Sequence, residues 1–120
     1  MLRSKGEEQM RSGLTVLASA LALCASSVVW AADVDEGAAE ALMKKSNCNK
    51  CHSLDKKKEG PPFRETAGKY KGKPDAEDKL FTHLTTHPKV KVDGKEEEHT
   101  SLKTKNDDEV KNVVRWVLTR

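Results

Sequence analysis

The stretch Cys48-Asn49-Lys50-Cys51-His52 constrains this chain more than any other. Two thiols three residues apart, with an imidazole directly behind the second, serve few chemistries. The rest of the sequence makes that stretch matter. Only 36% of the 120 residues are apolar and 4% are aromatic, which leaves room for one small domain with little core. A domain so small and polar needs a staple: disulfides, a metal, a cofactor or a partner. The net charge of +3 is a weak excess, and it argues against a nucleic-acid binder with a concentrated basic face.

The N-terminal third of the apolar content has a different purpose. Arg3, Lys5 and Arg11 make a basic start, and Leu14 to Trp30 then runs without a charge. Val29-Trp30-Ala31 sets small residues where a signal peptidase reads. This is the pattern of a secretory signal, 1–31, cleaved after Ala31 or else Ala32. The alternative is an uncleaved anchor at the lower limit of bilayer-spanning length. Cys24 falls in the apolar run behind the bulky Leu23, a poor lipoprotein site, and is discarded with the signal. The expected product is an exported, periplasmic domain spanning 32–120. Removal of the signal takes three of the 22 basic and two of the 19 acidic side chains, leaving a net charge near +2. Trp30 goes too, so Phe63, Tyr70, Phe81 and Trp116 are the remaining aromatics. That is too few for an ordinary core, and a large apolar group outside the amino-acid list is implied.

Cys-x-x-Cys-His is the attachment signature of a c-type haem. Each cysteine reaches one vinyl group to form a thioether, and the adjacent His52 is held beneath the iron. A secretory signal ahead of it delivers the chain to the compartment where haem is attached. The competitors explain less. Zinc would need two further ligands, for which His83, His87 and His99 are the candidates. A thioredoxin-like dithiol needs a βαβ context, and no strand pattern surrounds the motif. A structural disulfide across three residues is rarer again.

Helical patterns frame the motif. Ala38, Ala41, Leu42 and Lys45 recur at 3–4 spacing after Asp35 and Glu36. Arg64 to Lys69 suits a short helix, and another starts at Asp75 after Pro74, carrying Leu80, Phe81 and Leu84. Asn106 is a good N-cap, with Glu109 three residues on as a capping box. Val110, Val113, Val114 and Val117 then form one stripe, with Trp116 on its shoulder. No alternating pattern argues for a sheet, so the expected fold is all-α.

Together with Gly60-Pro61-Pro62-Phe63, which begins eight residues after His52, these features resemble the small bacterial class I cytochromes c. The resemblance spans most of 32–120. It implies several short helices around one covalent haem, with the first and last helices crossing through Leu42, Met43, Val113 and Trp116. It further implies that the Pro61 carbonyl accepts a hydrogen bond from His52 and orients it.

One departure is informative. That family places a methionine on the open side of the iron, before the last helix. Here the methionines are Met1, Met10 and Met43; two go with the signal, and Met43 precedes the motif within the first helix. A His/Met iron is therefore not expected. His99, seven residues ahead of Asn106, stands where the resemblance puts the methionine. His87 and then His83 are the fallbacks, Lys89, Lys91, Lys95 and Lys103 compete, and an open site is a further possibility. A second imidazole favours Fe(III), whereas methionine raises the potential.

Two protein ligands point to a one-electron carrier and not an enzyme. The alternative function is a haem protein whose open or displaceable site takes NO, CO or peroxide. Lys44, Lys45, Lys50, Lys56, Lys57 and Lys58 surround the motif, with Lys69, Lys71 and Lys73 forming a second group. They would steer an acidic exported redox partner, unless Asp35, Glu36, Glu40 and Glu59 balance them. The domain is expected to be a monomer without stable membrane insertion.

Overall fold

The computed structural model describes residues 33–120. The secretory signal expected over 1–31 lies outside the described residues. Four α-helices carry the fold: α1 (Glu36–Lys45), α2 (Phe63–Tyr70), α3 (Ala76–Thr85) and α4 (Asp107–Leu118). Between α3 and α4 stands a hairpin of β1 (Lys89–Val92) and β2 (Lys95–Glu98). Among the described residues, no helix is long and apolar enough to cross a membrane.

The last helix organises the core. Val110, Val113, Val114, Trp116 and Val117 are all buried, as their spacing predicts. Each buried valine contributes on the order of 1.5 kcal/mol through removal of its side chain from water. The cap is more elaborate than a simple capping box. Asn106 Oδ1 accepts from the Asp108 N–H at 2.9 Å, while its own N–H donates to the Thr104 hydroxyl at 3.1 Å. That hydroxyl donates in turn to Glu109. Glu109 thus closes the cap through Thr104, one residue pair further out than expected.

Helix α1 packs across α4. Asp35 caps it by accepting from the Ala38 N–H at 2.9 Å. The buried face is Ala39, Leu42 and Met43, whereas Ala38 and Ala41 are exposed. Both sets have helical spacing, and small alanines do not decide a face when Leu42 and Met43 do. A polar clasp locks the crossing. The Asp35 N–H donates to Asn112 Oδ1 at 2.9 Å, and Asn112 Nδ2 donates to the Asp35 carbonyl at 2.8 Å. Arg120 closes the same end, bonding Glu36 at 2.9 Å and lying over the Trp116 ring at 4.4 Å. Leu42, Met43, Val113 and Trp116 all belong to the resulting core.

The fold is helical as expected, and the hairpin adds a small sheet that the sequence pattern does not predict. Its strands pair antiparallel from Lys89 with Glu98 to Val92 with Lys95. Val90 and Val92 alternate inward between exposed lysines. Asp93 (φ 47°) and Gly94 (φ 80°) are both left-handed, the requirement of the tight turn whose twist suits two strands. Asp-Gly between alternating residues was the available signal. The fold is helical with this one small sheet.

Candidate functional site

Local backbone chemistry sets the motif in place. Helix α1 ends at Ser46, and Asn47 turns left-handed (φ 58°), a conformation asparagine tolerates well. A single 3₁₀ turn over Cys48–Lys50 follows, and the His52 N–H donates to the Cys48 carbonyl at 3.0 Å. The two cysteines are unbonded to each other. Burial pushes the Cys48 thiol up from its ordinary value. A hydrogen bond from Cys51 to the Glu59 carboxylate, at 3.2 Å, pushes its thiol up as well. Redox-active dithiols need the opposite, a lowered thiol pKa. The thioredoxin-like reading therefore has no electrostatic support. Zinc fares no better: among the described residues, no three His, Cys, Asp or Glu side chains converge to hold an ion.

Behind His52 the chain leaves no slack. Its Nδ1 lies 2.8 Å from the Pro61 carbonyl, so Nδ1–H donates there and Nε2 is turned the other way. Phe63 stacks on the ring, centroids 5.3 Å apart, and Trp116 meets Phe63 edge-on at 5.2 Å. Gly60 passes so close that a Cβ would lie 2.4 Å from Cε1 of His52. Only glycine fits. The orienting role expected of Pro61 has the geometry it requires.

His99 follows directly after β2. Its N–H donates to the Pro88 carbonyl at 2.8 Å, which extends the hairpin ladder by one rung. The loop beyond is pinned at three points: the Ser101 hydroxyl accepts from the His87 N–H at 3.3 Å, the Leu102 N–H donates to the Leu84 carbonyl at 3.0 Å, and the Lys103 N–H donates to the buried Ser46 hydroxyl at 2.9 Å. The run of glutamates before His99 gives no apolar reason to fold inward. The hairpin supplies the reason, because its register fixes which way residue 99 faces.

Both imidazoles line a cavity of about 310 Å³, walled by Met43, Leu80, Leu84, Val113 and Val114 and bordered by both cysteines. The His52 and His99 ring centroids are 6.0 Å apart. Two imidazoles bound to one metal through facing nitrogens set their centroids roughly 6.3 Å apart, given metal–nitrogen bonds of about 2.0 Å. Burial and the neighbouring His83 and His52 lower His99 from the ordinary histidine value to about 4. It is therefore neutral at physiological pH, as a metal ligand must be. The cavity walls, the paired thiols at its edge and the two imidazoles that line it fit a haem held at Cys48 and Cys51.

The fallback ligands separate clearly. His87, ranked ahead of His83, is exposed and outside the cavity. Its left-handed backbone (φ 49°) turns the chain into the hairpin. His83 instead lines the cavity, its ring 4.2 Å from that of His99, and burial lowers its pKa. Lys89, Lys91, Lys95 and Lys103 are all exposed, and of these only Lys91 borders the cavity. Met43 is buried in the α1–α4 contact and also lines the cavity.

Comparison with known proteins gives a consistent picture. The profile of the cytochrome c family matches residues 36–120. The crystal structure of the class 1 cytochrome MtoD from Sideroxydans lithotrophicus ES-1 is similar at 46% identity, covering 72% of this chain and 97% of that one, with a TM-score of 0.70. Cytochrome c552 of Nitrosomonas europaea is similar at 28% identity, covering 67% and 96%, with a TM-score of 0.53. No curated protein sequence matches the chain.

Proposed function

Because this chain belongs to the cytochrome c family, whose members carry electrons on a covalent haem c, we propose that it is a periplasmic one-electron carrier with His52 and His99 as its axial ligands. The attachment pattern of the family is met by Cys48, Cys51 and His52. Haem c, when bound, supplies a one-electron iron couple. The chain's own residues do the rest. Pro61 holds His52 by its Nδ1–H and raises its donor strength. The hairpin presents a neutral His99. The apolar walls keep water from the site and favour exchange of an electron without bond-making.

The observation that carries the reading is the pair of imidazoles that line one largely apolar cavity with their ring centroids 6.0 Å apart. Two imidazoles stabilise Fe(III) relative to a His/Met pair, so the potential should sit below that of His/Met relatives. Residues 1–31 act as the export signal in this proposal, and 32–120 as the haem domain. Lys44, Lys45, Lys50, Lys56, Lys57 and Lys58 are exposed around the motif and would steer acidic redox partners. Replacement of His99 by alanine tests the ligation. Conversion of the ferric spectrum from low-spin to high-spin supports it, and an unchanged low-spin spectrum refutes it.

A further inference from the structure

His83 takes no part in the account so far, although it lies inside the cavity. It is half-buried on α3, and its ring centroid is 4.2 Å from that of His99, with the planes tilted by 51°. The two presumed ligands differ in one respect. Nδ1 of His52 has a partner, the Pro61 carbonyl. Nδ1 of His99 is buried and has none among the described residues. A metal-bound histidine almost always donates its other ring N–H, because that bond fixes the ring's orientation and strengthens its donation. A buried N–H without an acceptor costs about 1–3 kcal/mol. The vacancy therefore calls for an acceptor close at hand.

We propose that His83 is that acceptor, a positioning residue that takes the Nδ1–H of His99 through its own unprotonated ring nitrogen and so holds the distal imidazole on the iron. The inference rests on His99 being the sixth ligand. The geometry allows it. A ring nitrogen lies about 1.2 Å from the ring centre, so an N–H···N bond of about 2.9 Å can join rings whose centroids are up to about 5.3 Å apart. At the observed 4.2 Å the rings are already in contact, and a relative side-chain shift of about 1 Å brings their nitrogens into line. Neutral imidazole offers one donor and one acceptor, which lets one ring give while the other receives. The backbone of Thr100 is the rival acceptor, since it weakly favours protonated His99, yet it forms no hydrogen bond to Nδ1.

The test uses the haem-loaded protein with His83→Phe, which keeps an aromatic ring without an acceptor, and His83→Gln, which restores one. Carbon monoxide competition against the distal ligand in the ferrous state is the readout. Loss of a ligand's hydrogen-bond partner weakens metal binding by about 10–100-fold. His83→Phe should therefore bind the gas about 10–100-fold more tightly than the parent protein, and His83→Gln should return toward the parent value. Should the Phe variant fail to load haem, His83→Leu is read in its place. Equal loss in the Phe and Gln variants would reduce His83 to packing and overturn the proposal. So would parent-like affinity in both, which would leave Thr100 as the acceptor. Failure of the ligation itself is separately visible: His99→Ala would then keep the low-spin ferric spectrum of the parent, whatever residue 83 is.

Discussion

Replacement of Gly60 by alanine should damage the proximal side out of proportion to the one methyl group added. The new Cβ would lie 2.4 Å from Cε1, 2.7 Å from Nδ1 and 3.0 Å from Nε2 of His52. Ordinary contact begins at 3.4 Å, so ring and backbone must part by 1.0 Å or more. Neither side can yield freely. The Gly60 N–H donates to the Cys51 carbonyl at 2.8 Å, and its carbonyl accepts from the Lys58 N–H at 3.3 Å. The His52 ring is stacked on Phe63 and bonded to Pro61. Overpacking of this kind costs about 1–3 kcal/mol, and loss of the His52–Pro61 bond adds about 1 kcal/mol. Denaturant unfolding of the haem-loaded variant should thus show a loss of about 2–4 kcal/mol, accompanied by a weakened iron–His52 vibration in the resonance Raman spectrum. Parent stability together with a parent iron–histidine frequency would refute the close approach on which the argument rests.

The remaining expectations are simpler to state. Met43→Leu is nearly isosteric, so it should cost less than about 1.5 kcal/mol and leave the low-spin spectrum intact; loss of that spectrum would make Met43 a ligand. Asn106→Ala removes the α4 cap and should lower stability by about 1 kcal/mol in denaturant titration, with no change in the haem bands. Gly94→Val forces a β-branched residue into a left-handed turn (φ 80°), loosens the hairpin and should raise carbon monoxide affinity through His99; an unaltered affinity would detach the hairpin from ligand positioning. Folded His99 binds a proton less readily than the unfolded chain does, so its contribution to stability is full above about pH 6.5 and shrinks as pH falls toward about 4. Because protons also compete with iron for the ring, the ferric low-spin spectrum should hold from neutral pH down to about 4, and a transition near pH 6 in a spectroscopic titration would contradict this.

Much of the site is legible in the chain because it is local. Cys48, Cys51 and His52 share one turn, and Pro61 follows within a short loop, so spacing alone announces their relation. The α4 stripe is legible for the same reason: five bulky apolar residues leave one face to bury. The buried face of α1 is less legible, since alanine gains little from either environment and Ala38 and Ala41 stay exposed. The hairpin is faint in the sequence because its exposed lysines and glutamates outweigh two half-buried valines, and only Asp93-Gly94 carries the turn chemistry. The distances between His52, His83 and His99 are tertiary facts. They depend on hairpin register and on the tilt of α3, neither of which spacing encodes. The promotion of His83 over His87 follows from that: one faces the cavity from a helix, and the other turns outward at a left-handed bend.

The central claim is that two histidines close the iron. The most direct measurement is the optical spectrum of the reduced protein with and without carbon monoxide. Sharp six-coordinate low-spin bands before the gas is added, with carbon monoxide binding only by competing with His99, are the predicted result. A high-spin, five-coordinate reduced spectrum that takes up the gas without displacing a ligand would mean an open sixth position. It would contradict His/His ligation and favour a gas- or peroxide-binding haem protein instead.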